Sequence, residues 1–365
     1  MKTINAFANI FGPIGYAHHA RKFFLALNKL MPVCLVPKYG QLPPEASEET
    51  FSDMLQRLFE IDLSGVSINL DYPEEMLHFA GSTRIGYTVF ETNKLSDMAL
   101  NQLRQLNQIW VPTHWAKSIL LANGLSEEKL KVIPEGVDCA VFGQHVEPYP
   151  EIQALEGYRF LSVGKWEERK GIRELLSAFD KAFSSLDRVF LFLYYPNHVR
   201  ALKDMSVIDE VNKMGLKNRS KVIVIESEIT TEEEMARLYA SCDSYVSASK
   251  AEGWGLPITE AMASGLAVLA PFYSGPTEYL TESNSIPLPV EKMDDVYCPV
   301  FFPNKGEYGQ WAHIDVEALS KKMRWIFENQ IQAKELGLQA MKDMQTKWTW
   351  DMAANKAAKV LETFI

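Results

Sequence analysis

Short apolar runs rich in β-branched and aromatic residues alternate along almost the whole chain with longer stretches whose apolar positions recur at helical spacing. Residues 3–10 read as a strand, followed by a Gly/Pro loop and a helix over 16–30. Residues 33–36, 65–70, 85–90, 109–111 and 131–133 continue the series as strands, with helical segments between several of them. The series then restarts. Residues 159–163 are apolar and bounded by Gly164, and the helix predicted over 172–183 puts Leu175, Leu176 and Phe179 on one face. Runs 189–194 and 222–225 are continuously apolar, as strands buried on both faces should be. A helix over 232–241 leads to a strand at 244–248. A helix over 257–264, with Pro257 as its first residue, leads to a strand at 267–270. Such alternation predicts an α/β fold: two doubly wound, Rossmann-like domains, each with a parallel sheet covered by helices, facing a cleft.

The break between the two series falls in residues 142–156, rich in Pro, Glu, Gln and Tyr, which read as a linker. The expected division is an N-terminal domain over 1–145 and a C-terminal domain over 157–345. An amphipathic helix within 346–365 is expected to pack back on the first domain. A chain of 365 residues suits two domains, and 47% hydrophobic content supplies two cores.

Charge narrows the function classes. The formal net charge is -10, with 12 basic against 16 acidic residues up to position 150 and 25 against 31 beyond it. Neither half carries the basic footprint of a nucleic-acid-binding protein. No apolar run reaches the roughly 18 residues a membrane span needs, and the N-terminus lacks a signal-peptide core. Cys34, Cys139, Cys242 and Cys298 are far apart and show neither C-x-x-C nor zinc spacing. They are expected as buried thiols in a reducing compartment, which makes the cytoplasm the expected location. Residues 51–59 have apolar spacing that suits either peripheral membrane contact or domain packing, although acidic flanks disfavour anionic lipid.

In doubly wound sheets ligands bind beyond the carboxyl ends of the strands, so the loops after strands are the candidates for chemistry. The most informative is Ala251-Glu252-Gly253-Trp254-Gly255-Leu256-Pro257, running into Glu260. Its glycines permit close backbone approach, and its amides at a helix start suit a phosphate. Glu252 and Glu260 lie eight residues apart, Glu260 in the expected first helical turn. Carboxylates repel phosphate, so ligand hydroxyls are their better partners, a sugar at one end and a ribose at the other. The plainer alternative is a strand–loop–helix join with Glu260 as an ordinary helix-start acid. Gly164-Lys165-Trp166-Glu167-Glu168-Arg169-Lys170-Gly171 also follows a strand and opens a helix. Lys165 and Lys170 there suit a diphosphate; a solvated charged loop is the competing account. A third glycine loop, Gly12-Pro13-Ile14-Gly15, follows the first strand, with His18 and His19 as ordinary helix histidines. Glu91 is expected to end a strand on the rim of the cleft, for contact with hydroxyls or as a surface acid.

At this point the chain resembles the family 4 retaining glycosyltransferases, which have the GT-B architecture. The landmarks run in order over nearly the whole chain: the early Gly loop, Ile109-Trp110-Val111-Pro112-Thr113, Val132-Ile133-Pro134-Glu135-Gly136-Val137-Asp138, the Gly164–Gly171 loop and the Glu252–Glu260 segment. The resemblance implies that Glu252 lies at the donor sugar and Glu260 holds the nucleotide ribose. It implies that Lys165 and Lys170 bind the diphosphate, Lys165 standing where Arg is usual and so losing the bidentate fork. Backbone of Gly253, Trp254, Gly255 and Leu256 would contact sugar and phosphate, Gly15 would approach the phosphates, and residues 227–230 would border the base. A histidine often found on the N-terminal cleft wall has no counterpart here; Glu91 or Thr92 occupies that neighbourhood.

The activity implied is transfer of a hexosyl group from a nucleoside diphosphate sugar to an acceptor hydroxyl, with retention, in polysaccharide biosynthesis. No metal or other cofactor is expected, because Asp-x-Asp is absent from the sequence and cationic side chains can replace the ion. The acceptor could be a glycan, a lipid-linked sugar, a protein or a small molecule, with its site on N-terminal loops such as 38–49. Donor base, donor sugar and oligomeric state are not encoded legibly. The alternatives are an inactive nucleotide-sugar-binding scaffold subunit of a polysaccharide assembly and a GT-B nucleotide-sugar epimerase.

Overall fold

A computed structural model describes residues 3–38, 48–143, 145–196 and 205–364. Most of the N-terminal loop proposed for the acceptor, 39–47, lies outside them. The chain forms two compact units, Met1–Gly136 with Lys347–Ile365, and Val137–Thr346.

The first unit is built on β1 (Ile4–Ala8), β2 (Val33–Pro37), β3 (Val66–Leu70), β4 (Thr83–Tyr87), β5 (Gln108–Val111) and β6 (Leu130–Val132), with α1 (Gly15–Asn28), α2 (Glu48–Gln56), α3 (Asp97–Arg104) and α4 (His114–Ala122) among them. All strand pairs are parallel, in the order β2-β1-β3-β4-β5-β6. Every residue of β3 and β5 is buried, which is why these runs read as continuously apolar or neutral rather than alternating. The core centres on Phe23, Tyr87 and Trp110, whose rings meet edge-on at centroid distances of 5.3 to 6.4 Å. In α2, Phe51 and Met54 are buried, whereas Phe59 just beyond it is 97% exposed.

Strand β4 stops at Tyr87, so Glu91 lies four residues past its end instead of terminating it. The reason is local. The Thr88 amide still reaches Trp110 O, but the Val89 amide donates to the Tyr16 hydroxyl at 3.0 Å, and the ladder ends.

The second unit contains α5 (Pro150–Gln153), β7 (Tyr158–Val163), α6 (Ile172–Ala182), β8 (Val189–Tyr194), α7 (Val207–Lys213), β9 (Val222–Val224), α8 (Glu232–Ala240), β10 (Ser244–Val246), α9 (Leu256–Ala263), β11 (Ala267–Pro271), β12 (Ile286–Leu288), β13 (Met293–Asp295), β14 (Gln310–Ala312), α10 (Val316–Glu328) and α11 (Gln330–Lys347). Its main sheet is parallel throughout, in the order β12-β11-β10-β7-β8-β9. The direction of winding therefore reverses between the neighbours β7 and β10. Ligands of doubly wound sheets bind beyond the carboxyl ends of the strands at such a reversal, which singles out the loops leaving β7 and β10.

An antiparallel hairpin, β13 with β14, was not legible in the sequence. The excursion that carries it packs Val296, Cys298 and Trp311 against Ala251.

The boundary falls at Gly136, ahead of the 142–156 stretch read as a linker, so the expected bounds at 145 and 157 shift. The stretch is folded onto α8 and its end. Phe142 is buried with its ring 5.9 Å from Tyr239. The Tyr149 amide donates to Ser241 Oγ at 2.8 Å, and Gln153 Nε2 donates to Ser241 O at 3.0 Å. Its Pro, Glu and Gln content suggested solvent, but Phe142, Tyr149 and Ile152 supply the apolar anchors.

The final helix, α12 (Trp350–Leu361), belongs to the first unit and packs along α1. Thr349 caps it, accepting from the Met352 amide at 3.3 Å. The Trp350 ring lies 5.5 Å from that of His19, which is buried, and burial lowers the His19 pKa to about 3. Gly136 makes the approach possible: a Cβ there would sit 2.3 Å from the Trp350 amide nitrogen. Glu135 is buried beside it, with Oε1 3.6 Å from His19 Nδ1. Part of the Pro-Glu-Gly-Val-Asp landmark thus serves the seating of the last helix.

Candidate functional site

The loops after β7 and β10 are pressed together at the winding reversal. After β7 the chain runs through Gly164 and Lys165 into a 3-10 turn over Glu168–Lys170. Gly171 closes the turn with φ 60° and ψ 28°, left-handed values that favour glycine. A Cβ at Gly171 would lie 2.1 Å from Ala248 O, so glycine also sets the loop's distance from the chain leaving β10. The Lys250 amide then donates to Arg169 O at 2.7 Å and locks the two loops.

This contact brings four charged side chains together, Lys170, Arg169, Glu252 and Glu167. Lys170 Nζ donates to Glu252 Oε1 at 2.5 Å, and Arg169 Nη1 donates to Glu252 Oε2 at 3.0 Å. Arg169 Nη1 also reaches Ala251 O at 2.8 Å, while its Nη2 donates to Glu167 Oε1 at 2.7 Å. Glu252 is 9% exposed. Burial pushes its carboxyl pKa up, but Lys170 and Arg169 together outweigh burial and bring it down from 4.5 to about 2. Glu252 is therefore a fixed carboxylate at neutral pH, able only to accept hydrogen bonds.

A pH dependence follows with a definite sign. The folded-state pKa lies below the ordinary value, so the contribution of Glu252 to stability is fully present above about pH 4.5 and is lost as pH falls through about 2. Glu252→Gln keeps the shape without the charge. It is expected to be less stable than the wild type at neutral pH and to lose less stability on acidification across that window. Thermal melting at stepped pH checks this; parallel curves for the two proteins would contradict the pairing.

The backbone after Glu252 is held from β11. The Glu252 amide donates to Ser274 Oγ at 2.9 Å, and the Gly275 amide donates to Glu252 O at 2.8 Å. Ser274 has φ 58° and ψ -142°, a conformation costly outside glycine. A Cβ on Gly275 would fall 2.3 Å from Gly253 O. The Tyr279 hydroxyl donates to Trp254 O at 2.7 Å, with the rings 5.0 Å apart. Gly253, Trp254 and Gly255 are buried, and Gly255, at φ 101°, is the residue from which α9 starts.

Helix α9 begins at Leu256, one residue before Pro257, and this places Glu260 in its second turn rather than the first. The helix-start account of Glu260 loses its basis, since dipole stabilisation fades beyond the first turn. The Tyr239 hydroxyl, from α8, instead donates to Glu260 Oε2 at 2.8 Å and to Pro257 O at 3.2 Å. Burial, then the Glu260 charge, pushes the Tyr239 pKa up and keeps that hydroxyl a donor. Within 227–230, the Ile229 amide donates to the Tyr194 hydroxyl at 3.1 Å, fixing that loop to the end of β8.

The structure thus joins Lys170 and Glu252 directly and continues from Glu252 through Gly253, Trp254, Gly255 and Leu256 to Glu260. Lys165 is half-buried in the same loop as Lys170. Gly15 and Glu91 belong to the first unit. Gly15 is exposed at the start of α1, in a loop fixed by Arg21 Nη1, which donates to Ile10 O at 2.9 Å and Gly12 O at 3.0 Å. Glu91 is half-buried. Sequence reasoning missed Arg169, Tyr239 and the Ser274-Gly275 turn. The turn had a signal, Ser-Gly-Pro directly after a strand; a buried arginine inside a four-residue charged run had none. Among the described residues, no group of three or more His, Cys, Asp or Glu side chains is arranged to hold a metal ion, and no helix is long and apolar enough to cross a membrane.

With this geometry in hand, comparisons place the chain among known proteins. Residues 150–286, which include Lys165, Lys170, Glu252 and Glu260, match the family model described as Glycosyl transferases group 1. No curated protein sequence matches the chain. Among solved structures, Anabaena Alr3699/HepE in complex with UDP and glucose superposes with a TM-score of 0.71 at 14% identity, covering 100% of both chains. Sucrose-phosphate synthase from Thermosynechococcus elongatus gives 0.71 at 15% identity, over 100% of this chain and 99% of that one. A glycosyltransferase from Rickettsia africae ESF-5 gives 0.70 at 14% identity, over 99% and 98%. The α/β fold with two Rossmann-like units is that of the GT-B glycosyltransferases.

Proposed function

We propose that this chain is a retaining glycosyltransferase that moves a hexosyl group from a nucleoside diphosphate sugar to an acceptor hydroxyl. The observation that carries the reading is the Lys170–Glu252 pair, in the loops of two adjacent strands where the sheet reverses its winding. The matched family segment covers these loops, and a solved structure of the same fold, Anabaena Alr3699/HepE, holds UDP-glucose.

The chemistry follows from the charges. As the bond from the anomeric carbon to the diphosphate oxygen breaks, negative charge builds on the leaving group. Lys170, Lys165 and the loop amides stabilise it as hydrogen-bond donors and positive charges. The acceptor oxygen bonds to the anomeric carbon, and its proton passes to the departing diphosphate. Cationic side chains meet that charge without a metal ion.

Glu252, ionised with a pKa of about 2, carries no proton to donate near neutral pH and so is no general acid. It accepts from sugar hydroxyls, and paired-carboxylate glycosidase chemistry is set aside. Glu260, oriented by Tyr239, is positioned to accept from ribose hydroxyls. This reading includes a cytoplasmic enzyme of polysaccharide assembly acting on a glycan, lipid-linked sugar, protein or small-molecule hydroxyl.

The test is a panel of UDP-, GDP- and ADP-sugars offered with hydroxyl acceptors, followed by proton NMR. Release of nucleoside diphosphate together with a glycoside of unchanged anomeric configuration is the expected result. An inverted product would remove retention. Donor binding without any turnover would make the chain a nucleotide-sugar-binding scaffold instead.

A further inference from the structure

We propose that Arg169 is a positioning residue that holds Glu252 in place as a carboxylate, so that Lys170 is free to turn from Glu252 to a diphosphate. The inference rests on the donor-site reading above and adds a residue that reading does not use. Each oxygen of Glu252 has its own cation, Oε1 with Lys170 and Oε2 with Arg169. With Lys170 as sole partner, its departure to a phosphate would strand a buried, uncompensated carboxylate, an arrangement that strongly opposes binding. With Arg169 present, the carboxylate keeps a counter-ion when Lys170 leaves.

The two cations differ in how firmly they are held. The Arg169 guanidinium spans three acceptors at once, Glu252 Oε2, Ala251 O and Glu167 Oε1, and its own carbonyl accepts from the Lys250 amide. A planar fork suits such a fixed role. Arg169 is 8% exposed and turned toward these partners, which makes it a support for the site rather than a ligand of the substrate. Lys170 is a point charge on a flexible stem, bound to Glu252 through its ammonium. Glu252 therefore parks Lys170 before the donor arrives, and Arg169 allows its release.

The experiment is calorimetric titration of wild type, Arg169→Gln and Arg169→Lys with UDP, GDP and ADP between about pH 4 and about pH 8. Melting curves are run alongside to verify folding. Arg169→Gln is expected to bind the preferred nucleotide about tenfold more weakly at neutral pH. Its affinity should recover as pH falls, with proton uptake on binding, because a Glu252 abandoned by Lys170 now takes up a proton. The wild type should show only the slope and proton exchange of the nucleotide's own terminal phosphate, which ionises at about pH 6. The variant's extra uptake is read against that baseline. Arg169→Lys, which keeps the charge, should fall between them, and it carries the test if the glutamine variant does not fold. Wild-type affinity and pH profile in the variants would overturn the proposal. So would a loss of binding equal at every pH, the mark of a direct diphosphate ligand or of a merely structural residue. A wild type that binds none of the three nucleotides would refute the donor site itself, a result distinct from either of these.

Discussion

Lys170→Met is expected to lower the rate of sugar transfer by about 10²–10³-fold, the usual effect of removing one preorganised donor from developing negative charge. Methionine keeps most of the length and removes the ammonium. The fold should tolerate the change, because Arg169 continues to compensate Glu252 on its other oxygen. The loss should therefore appear in kcat/KM for the nucleotide sugar with little change in melting temperature. Initial rates across the donor panel, paired with melting curves, measure both. A variant within threefold of wild type would remove Lys170 from the chemistry. Equal losses of activity and stability would make its pairing with Glu252 structural.

Gly171→Ala is the second large effect, and it acts on the fold and the site together. Alanine must adopt φ 60° and place its Cβ where Ala248 O stands, 2.1 Å away. The obstacle is backbone, so no side-chain rotation relieves it. Destabilisation of roughly 2–4 kcal/mol is expected, or about 5–10 °C in the melting temperature of a unit of this size. Donor affinity should fall too, because Arg169 and Lys170 are the two residues before the glycine. Gly215 is the control. It has φ 62° with no neighbouring atom within 4 Å of a built Cβ, so Gly215→Ala should cost only the left-handed strain, about 1 kcal/mol. Equal melting shifts in the two variants would show that the approach to Ala248 is not what requires glycine at 171.

The α/β architecture was legible because parallel strands are buried on both faces and leave unbroken apolar runs such as Val189–Tyr194. The rule that ligands of doubly wound sheets bind beyond the carboxyl ends of the strands then pointed to the loops where Glu252 and Lys170 stand. What escaped has physical reasons. The β13–β14 hairpin starts from Met-Asp-Asp, whose side chains are exposed or half-buried, so it shows no hydrophobic alternation. The unit boundary was displaced because Phe142 and Ile152 are anchors thinly spread through a polar stretch. Glu91 was placed at a strand end because Thr88-Val89-Phe90 is as β-prone as the strand before it; a tyrosine hydroxyl from α1 takes the bond that would have extended the ladder. Arg169 was invisible because Glu167-Glu168-Arg169-Lys170 reads as a solvated charged turn, and it is Glu252, in the loop after a later strand and 83 residues on, that pairs with one member of it.

The donor site in the second unit is the central claim, and calorimetric titration of the wild type and Glu260→Ala with UDP, GDP, ADP and their sugar conjugates tests it most directly. One nucleotide class should bind the wild type, and Glu260→Ala should bind it about tenfold more weakly, the cost of losing a charged hydrogen-bond acceptor for the ribose. No heat from any nucleotide at millimolar concentration, or equal affinity in the two proteins, would contradict the account.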